Sequence, residues 1–433
     1  MKELLYRLFR LDLAKLEDRN AWFLVLEIFW ASMLASAATF NAAFALRLGA
    51  TNSQVGLLTS IPALMAVLVS LPAGRFLNSK TRRKPWILGS LVLYRSVFLF
   101  IALLPLIKLT EATLAALVIG LIVSFSGLAH FFNVGWIPLL SDVVPEDKRA
   151  GVFSARNIIY NISMSICGIL FGIWLEKKIF PGNYQILYAF GFATSLLSFY
   201  YLLKVQVPDS SVKPQIQETR KNASLHQVWF NINQVVSKNK GFIRITGDTL
   251  LHGIGIWMVG PLYILHYMRN LGATEAWLGL NTTILTTATI LGYAFWRWLM
   301  GRWGEPVTLK RTILLIGVYP LVVGLLPSMS LILIATAING LIVPGVNLSH
   351  FNTLLKVTPE ENRPGYTAVY MTIANIGAFL CPLVGVAFAN HFGIAPTMIG
   401  CGMLCILGST SFWIWPIRSG NNQNVHELQK EGA

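Results

Sequence analysis

The chain has 433 residues, of which 55% are hydrophobic and only 12% charged, with a net charge of +15 and a mean hydropathy of +0.60. A soluble domain carries about 25% charged residues, so a soluble globular fold is excluded and apolar helices of about 20 residues become the counting unit. The excess positive charge lies in short loops between apolar runs, which is the pattern of a membrane protein's inside loops and excludes a nucleic-acid-binding face.

Residues 1–20 set Leu4, Leu5, Leu8, Leu11 and Leu16 against Lys2, Arg7, Arg10 and Lys15, predicting an amphipathic interfacial helix on the cytoplasmic membrane face. Six apolar runs follow at 21–46, 54–76, 86–107, 112–141, 152–175 and 184–204. They make an N-terminal six-helix bundle over 21–205. Residues 206–241 hold Pro208, Pro214 and the charged run Glu218–Asn222 and read as a cytoplasmic linker. Six more spans at 243–268, 276–299, 308–327, 330–355, 366–390 and 395–417 make a second bundle over 242–418, with a cytoplasmic tail at 419–433. The predicted fold class is an all-α polytopic membrane protein with twelve transmembrane helices.

With the N-terminus inside, the inside segments hold 26 Lys and Arg and the outside loops 5. Both termini are therefore expected in the cytoplasm, with the protein in the inner or plasma membrane among lipids. Cys167, Cys381, Cys401 and Cys405 all fall in apolar runs, with neither metal-ligand nor disulfide spacing, and read as small buried hydrophobes. No metal and no cofactor is expected.

The two halves repeat one another. Leu48–Ile61 reads LGATNSQVGLLTSI and Leu271–Ile284 reads LGATEAWLGLNTTI. Pro145–Gly151 recurs as Pro359–Gly365, and at the same offset Asn133 and Asn161 match Asn347 and Asn375. Two similar bundles are what a rocking transporter needs.

These residues resemble the major facilitator superfamily. Its loop after span 2 carries G-x-x-x-D-R-x-G-R-[RK]; here Gly74, Arg82 and Arg83 match, while Asn78, Ser79 and Thr81 replace the Asp, Arg and Gly. In the copy after span 8, Arg302 and Gly304 match, with Gly301 and Glu305 departing. The P-x-x-x-R-[GA] segments and Gly377–Gly385 also look like the family's. The resemblance implies two pseudo-symmetric six-helix bundles with spans 1, 4, 7 and 10 around a central cavity. It further implies conformational latches in the loops, for which Gly74, Asn78, Arg82, Arg83, Asp142, Glu146, Arg149, Arg302, Glu360 and Arg363 are the candidates. An acidic residue at the Asn78 position would cap a helix of the other half; Asn78 brings no charge.

On the four implied cavity spans, polar residues recur at helical spacing. Glu27, His130, Asn133, Asp248, His252, Asn347 and His350 lie at similar depth, and Asn41 lies further along span 1. Lipid exposure of a charge near the bilayer centre costs about 2.5–3.5 kcal/mol, so these groups face a cavity or one another. They form either a substrate and proton site, in which Glu27 and Asp248 titrate, or a cytoplasmic gate. Arg95, near the middle of span 3, needs an internal partner: Glu27 in a structural pair, or an anionic substrate. Arg156 reads as a contact to the end of span 4 or to a lipid phosphate. Tyr160, Trp257, Tyr263 and Tyr370 line a binding cavity or pack. The hydroxyl run Asn281–Thr289 reads as helix packing.

No P-loop, no H-E-x-x-H and no triad context occurs, so neither ATP-driven pumping nor enzyme catalysis is expected. The expected function is secondary active transport of a small-molecule substrate by alternating access, coupled to protons, as a monomer. An uncoupled facilitator and a non-transporting receptor or lipid-handling scaffold remain open on the same frame.

Overall fold

The computed structural model describes residues 14–107, 109–207, 239–359 and 363–414. Most of the expected amphipathic segment 1–20, most of the linker 206–241, the tail 419–433 and the latch candidate Glu360 lie outside the described residues. The ordered helices are α1 (Leu16–Ala38), α2 (Asn41–Arg47), α3 (Asn52–Asn78), α4 (Lys84–Leu103), α5 (Glu111–Val143), α6 (Glu146–Lys177) and α7 (Gly182–Lys204). They continue with α8 (Lys240–Leu265), α9 (Glu275–Trp303), α10 (Glu305–Ile316), α11 (Val318–Leu325), α12 (Met329–Val357), α13 (Arg363–Phe392) and α14 (Ile394–Ile414).

Among the described residues, 11 helical stretches are long and apolar enough to cross a membrane. The twelfth expected span is α9. It has 29 residues, but Glu275, Asn281, Arg297, Arg302 and five threonines dilute its hydropathy. The ninth span is broken at Gly317 into α10 and α11. Apolar side chains remain exposed in stripes, such as Leu331, Ile334, Ile338 and Leu341 along α12, as expected for helices solvated by hydrocarbon.

The two copies of the L-G-A-T turn fold alike. Gly49 and Gly272 both take the left-handed conformation, at φ +83° and +66°, which only a residue without Cβ adopts cheaply. The threonine that follows caps the next helix: Thr51 Oγ1 accepts from the Gln54 amide at 3.2 Å, and Thr274 Oγ1 from the Trp277 amide at 3.3 Å. In the first copy Gln54 also reaches back to the Thr51 amide at 2.8 Å, completing a capping box.

The chain divides into two compact units, one within Met1–Ile216 plus Ala273–Thr286 and one within Gln217–Gly272 plus Thr287–Ala433. In the first, α1 packs mainly on α7 and α6, and α5 on α3 and α4. In the second, α8 packs mainly on α14 and α13, and α12 on α10. The pairings of α1 with α7 and α6, and of α4 with α5, thus recur as those of α8 with α14 and α13, and of α10 with α12.

Glycines set how closely α8 is held. A Cβ on Gly255 would overlap the Cys401 carbonyl of α14, one on Gly385 the Met258 carbonyl, and one on Gly408 the Leu251 carbonyl. Small residues that let backbones approach are the usual cement of membrane helices, where burial of apolar area contributes little. We predict that Gly385→Val lowers the melting temperature of the purified protein, in line with the roughly 1–3 kcal/mol of overpacking. Gly260→Val, whose Cβ meets open space, leaves it unchanged.

Candidate functional site

The first unit holds a buried ionic cluster built from four helices. Glu27 of α1, Arg95 of α4 and Arg156 of α6 are only 3%, 7% and 6% exposed. Glu27 Oε2 lies 2.8 Å from Arg156 Nη2, and Glu27 Oε1 lies 3.6 Å from Arg95 Nη2. Ser198 of α7 donates to Glu27 Oε1 at 2.9 Å. Arg95 Nη1 donates in turn to Ser198 Oγ at 2.8 Å and to the Ser195 carbonyl at 3.2 Å. Arg156 Nη1 donates to the Leu24 carbonyl, and its guanidinium stacks 4.9 Å from the Trp136 ring.

Two sequence expectations meet here and one is extended. Glu27 and Arg95 are brought together, but the closer partner of Glu27 is Arg156, which keeps the expected contact with the end of span 4 through Trp136 and pairs with the carboxylate besides. The helix register explains the difference: α6 packs along α1, so a residue ten positions into α6 reaches the depth of Glu27. Ser198 and Ser195, spaced one helical turn apart in an apolar run, were the signal for this cluster that sequence reasoning passed over.

Beside the cluster is a cavity of about 300 Å³, lined by Arg95, Tyr94 and Asn133 together with Tyr160, Phe98 and Phe132. Its space comes from small residues: Ala31, Ala35 and Ala38 along one face of α1 and Ala129 opposite. Asn133, Tyr160 and Arg95 are thus brought to one place. Asn41 sits past the break between α1 and α2, and its side-chain oxygen is buried with no hydrogen-bond partner. His130 bonds instead to the backbone of Pro62.

The loop candidates of the first unit take local roles. Arg149 donates to the Val144 carbonyl at 3.0 Å and the Ser141 carbonyl at 2.7 Å, closing the orphan carbonyls of α5's last turn. Asp142 feels the charges of Arg83 and Arg149. Gly74 packs near Val134, Asn78 ends α3, Arg82 is exposed, and Glu146 starts α6, where the helix dipole favours a carboxylate.

A second ionic site was missed from sequence. Arg47 makes a two-pronged pair with Glu275, Nε to Oε1 and Nη2 to Oε2, both at 2.7 Å. Tyr184 donates to Glu275 Oε1 at 3.1 Å. Residues 273–286 belong to the first unit, and Gly172 makes room for them: a Cβ there would lie 2.6 Å from the Glu275 carbonyl. Thr283 donates to the Ser165 carbonyl at 2.7 Å, and Thr282 and Thr286 to carbonyls of their own helix, the packing role expected of that run. The available signal was the repeat itself, since Glu275 stands where the first copy has Asn52.

In the second unit Asp248 is buried, with Arg244 Nε at 3.6 Å and the Ser411 hydroxyl beside it. His252 faces α14, 2.8 Å from Ser409 Oγ and 3.2 Å from Cys405 Sγ. His350 Nε2 lies 2.7 Å from Thr249 Oγ1 and 3.5 Å from the Tyr370 hydroxyl, joining α8, α12 and α13. Trp257 lies over Gly253 and Gly377. Tyr263 packs against Tyr319 with its ring tilted, and the Tyr319 hydroxyl is shared with Tyr267 and Thr336, both at 2.9 Å. Asn347 is exposed, Arg302 stacks 4.0 Å from the Trp298 ring, and Arg363 starts α13.

A sequence model described as Major Facilitator Superfamily matches residues 23–246 and 249–431. The chain is 28% identical over 152 residues to the multidrug resistance protein MdtG of Escherichia fergusonii, covering 34% of this chain and 36% of that protein. It matches MdtG of Salmonella arizonae at the same identity, covering 34% and 37%. The matched stretch is thus well short of the relatives' whole length. The fold is similar to a mutant of the nucleoside transporter NupG, with a TM-score of 0.70 at 12% identity over 91% of this chain and 99% of that one. It is also similar to a bacterial homologue of the human lysosomal transporter Spinster in an inward-facing, occupied conformation. There the TM-score is 0.66 at 12% identity, over 92% and 96%. At 12% identity these two likenesses show fold alone.

Proposed function

Since the chain belongs to the Major Facilitator Superfamily, a multi-pass integral membrane protein of a transporter family rather than an enzyme, we propose that it is a secondary active transporter. It moves a small organic solute by alternating access, coupled to protons. The observation that carries this reading is the cavity beside Arg95: hollowed by alanines, walled by aromatic rings, and supplied with a few polar groups, it has the make-up of a small-molecule site. The repeated helix pairing of the two units supports alternating access, because similar bundles exchange roles as one rocks on the other. The names of the relatives, drug resistance and nucleoside transport, agree with an organic solute. Loop charge supports a cell-membrane location with both termini inside, and the protein works as a monomer.

For proton coupling we favour Asp248 over Glu27. Glu27 is committed to two guanidinium groups and a serine hydroxyl. Asp248 has its cationic neighbour at 3.6 Å on its own helix, which leaves more room for a proton to come and go. Proteoliposomes loaded with the pH dye pyranine and challenged with carboxylates, nucleosides and amphipathic cations test this. At least one class is expected to move lumenal pH, and Asp248→Asn to abolish that movement while labelled-solute exchange persists. Exchange without any pH change in the parent protein would overturn proton coupling and leave a facilitator.

A further inference from the structure

The charges of the buried cluster do not balance. Arg95 and Arg156 bring two positive charges and Glu27 one negative, all but sealed from solvent. The neutral groups around them, the Ser195 and Leu24 carbonyls, the Ser198 hydroxyl and the Trp136 face, satisfy N–H donors but carry no net charge. An uncompensated charge within a membrane bundle is costly and persists where something functional offsets it.

The surplus lies on the Arg95 side. Arg156 holds Glu27 at 2.8 Å, whereas Arg95 stands off at 3.6 Å, and of the three charged groups only Arg95 lines the cavity. Among the cavity's lining residues there is no carboxylate to answer it. The other polar groups, from Tyr94, Tyr160 and Asn133, can hydrogen-bond a ligand but not neutralise it. Phe98, Phe132, Leu34 and Leu91 complete the wall as apolar surface.

We propose that this cavity takes a small organic monoanion, a carboxylate or sulfonate on a flat apolar body, with the acid group on Arg95 and the body between the aromatic walls. The inference rests on the transporter reading and names the substrate class for its cavity. A volume of about 300 Å³ is at the small end of ligand sites, which suits a single aromatic ring. Arginine is the fitting cation, because its planar fork can hold Ser198 with one nitrogen and offer others to a planar or trigonal anion.

The test uses matched probes on the purified full chain: benzenesulfonate, its neutral isostere benzenesulfonamide, and the cation benzyltrimethylammonium, each titrated by thermal shift. Benzenesulfonate alone is expected to stabilise the parent protein. Its affinity should fall by about ten- to a hundredfold in Arg95→Gln, the loss of a charge-assisted hydrogen bond, and far less in Arg95→Lys. Ala35→Phe fills the cavity without touching the ionic cluster, and should abolish the shift in a protein that melts normally. If benzenesulfonamide or the cation stabilises as well as the anion, and Ala35→Phe removes the effect, the cavity is a ligand site but the anionic class is wrong. Stabilisation that survives Ala35→Phe would remove the cavity from the transport reading altogether. No shift with any probe would overturn the monoanion inference.

Discussion

Glu27→Ala is expected to cost on the order of 3–5 kcal/mol, the range for removing one partner from a buried ionic group. The substitution leaves Arg95 and Arg156 facing each other at 7% and 6% exposure with the carboxylate between them gone. At about 2–4 °C per kcal/mol for a domain of this size, the melting temperature of detergent-purified protein should fall by roughly 10 °C. The geometry also orders the single arginine variants. Arg95→Met leaves Glu27 and Arg156 as a neutral pair at 2.8 Å and should be the mildest. Arg156→Met leaves Glu27 with the looser partner at 3.6 Å and should be intermediate. If Arg95→Met were the most damaging of the three, the surplus charge would have been placed on the wrong arginine.

Arg47→Ala is the second large effect, and it should exceed that of Glu275→Gln. The asymmetry follows from burial, since the Arg47 side chain is 48% exposed and that of Glu275 only 1%. Losing Arg47 strands a carboxylate among Tyr184 and the backbone of α6, a cost approaching about 3–5 kcal/mol. Losing the carboxylate charge frees an arginine that solvent can hydrate, at about 1–2 kcal/mol for the lost hydrogen bonds. The double variant Arg47→Ala with Glu275→Gln should be more stable than Arg47→Ala alone, because the stranded charge is gone. Melting curves of the three proteins and the parent close the cycle. Equal losses from the two single variants would mean that the pair is hydrated in solution and contributes little, as exposed pairs do.

The spans and the repeat were legible because they depend on period and composition, which a sequence carries locally. Glu27 and Arg95 were legible as a pair because each is a lone charge in an apolar run and their depths agree. Arg156 was not, because a charge four residues into the expected span at 152–175 looks like an end group until α6 is seen to start at Glu146 and run against α1. The partners of Asp248 and His252 were hidden for a related reason. Ser411, Ser409 and Cys405 sit on a helix with no other signal, and only the rotation of α14 about its axis turns them toward α8. Arg47 and Glu275 are 228 positions apart, so their meeting is a fact of tertiary packing. The repeat marked the spot only by changing Asn52 into Glu275.

Counterflow of labelled benzenesulfonate into proteoliposomes preloaded with the unlabelled anion tests the account most directly, since it asks whether the cavity beside Arg95 carries cargo. Parent protein is expected to accumulate label transiently above the passive level, and Ala35→Phe to stay at that level while remaining folded. Accumulation by Ala35→Phe equal to that of the parent would contradict the account.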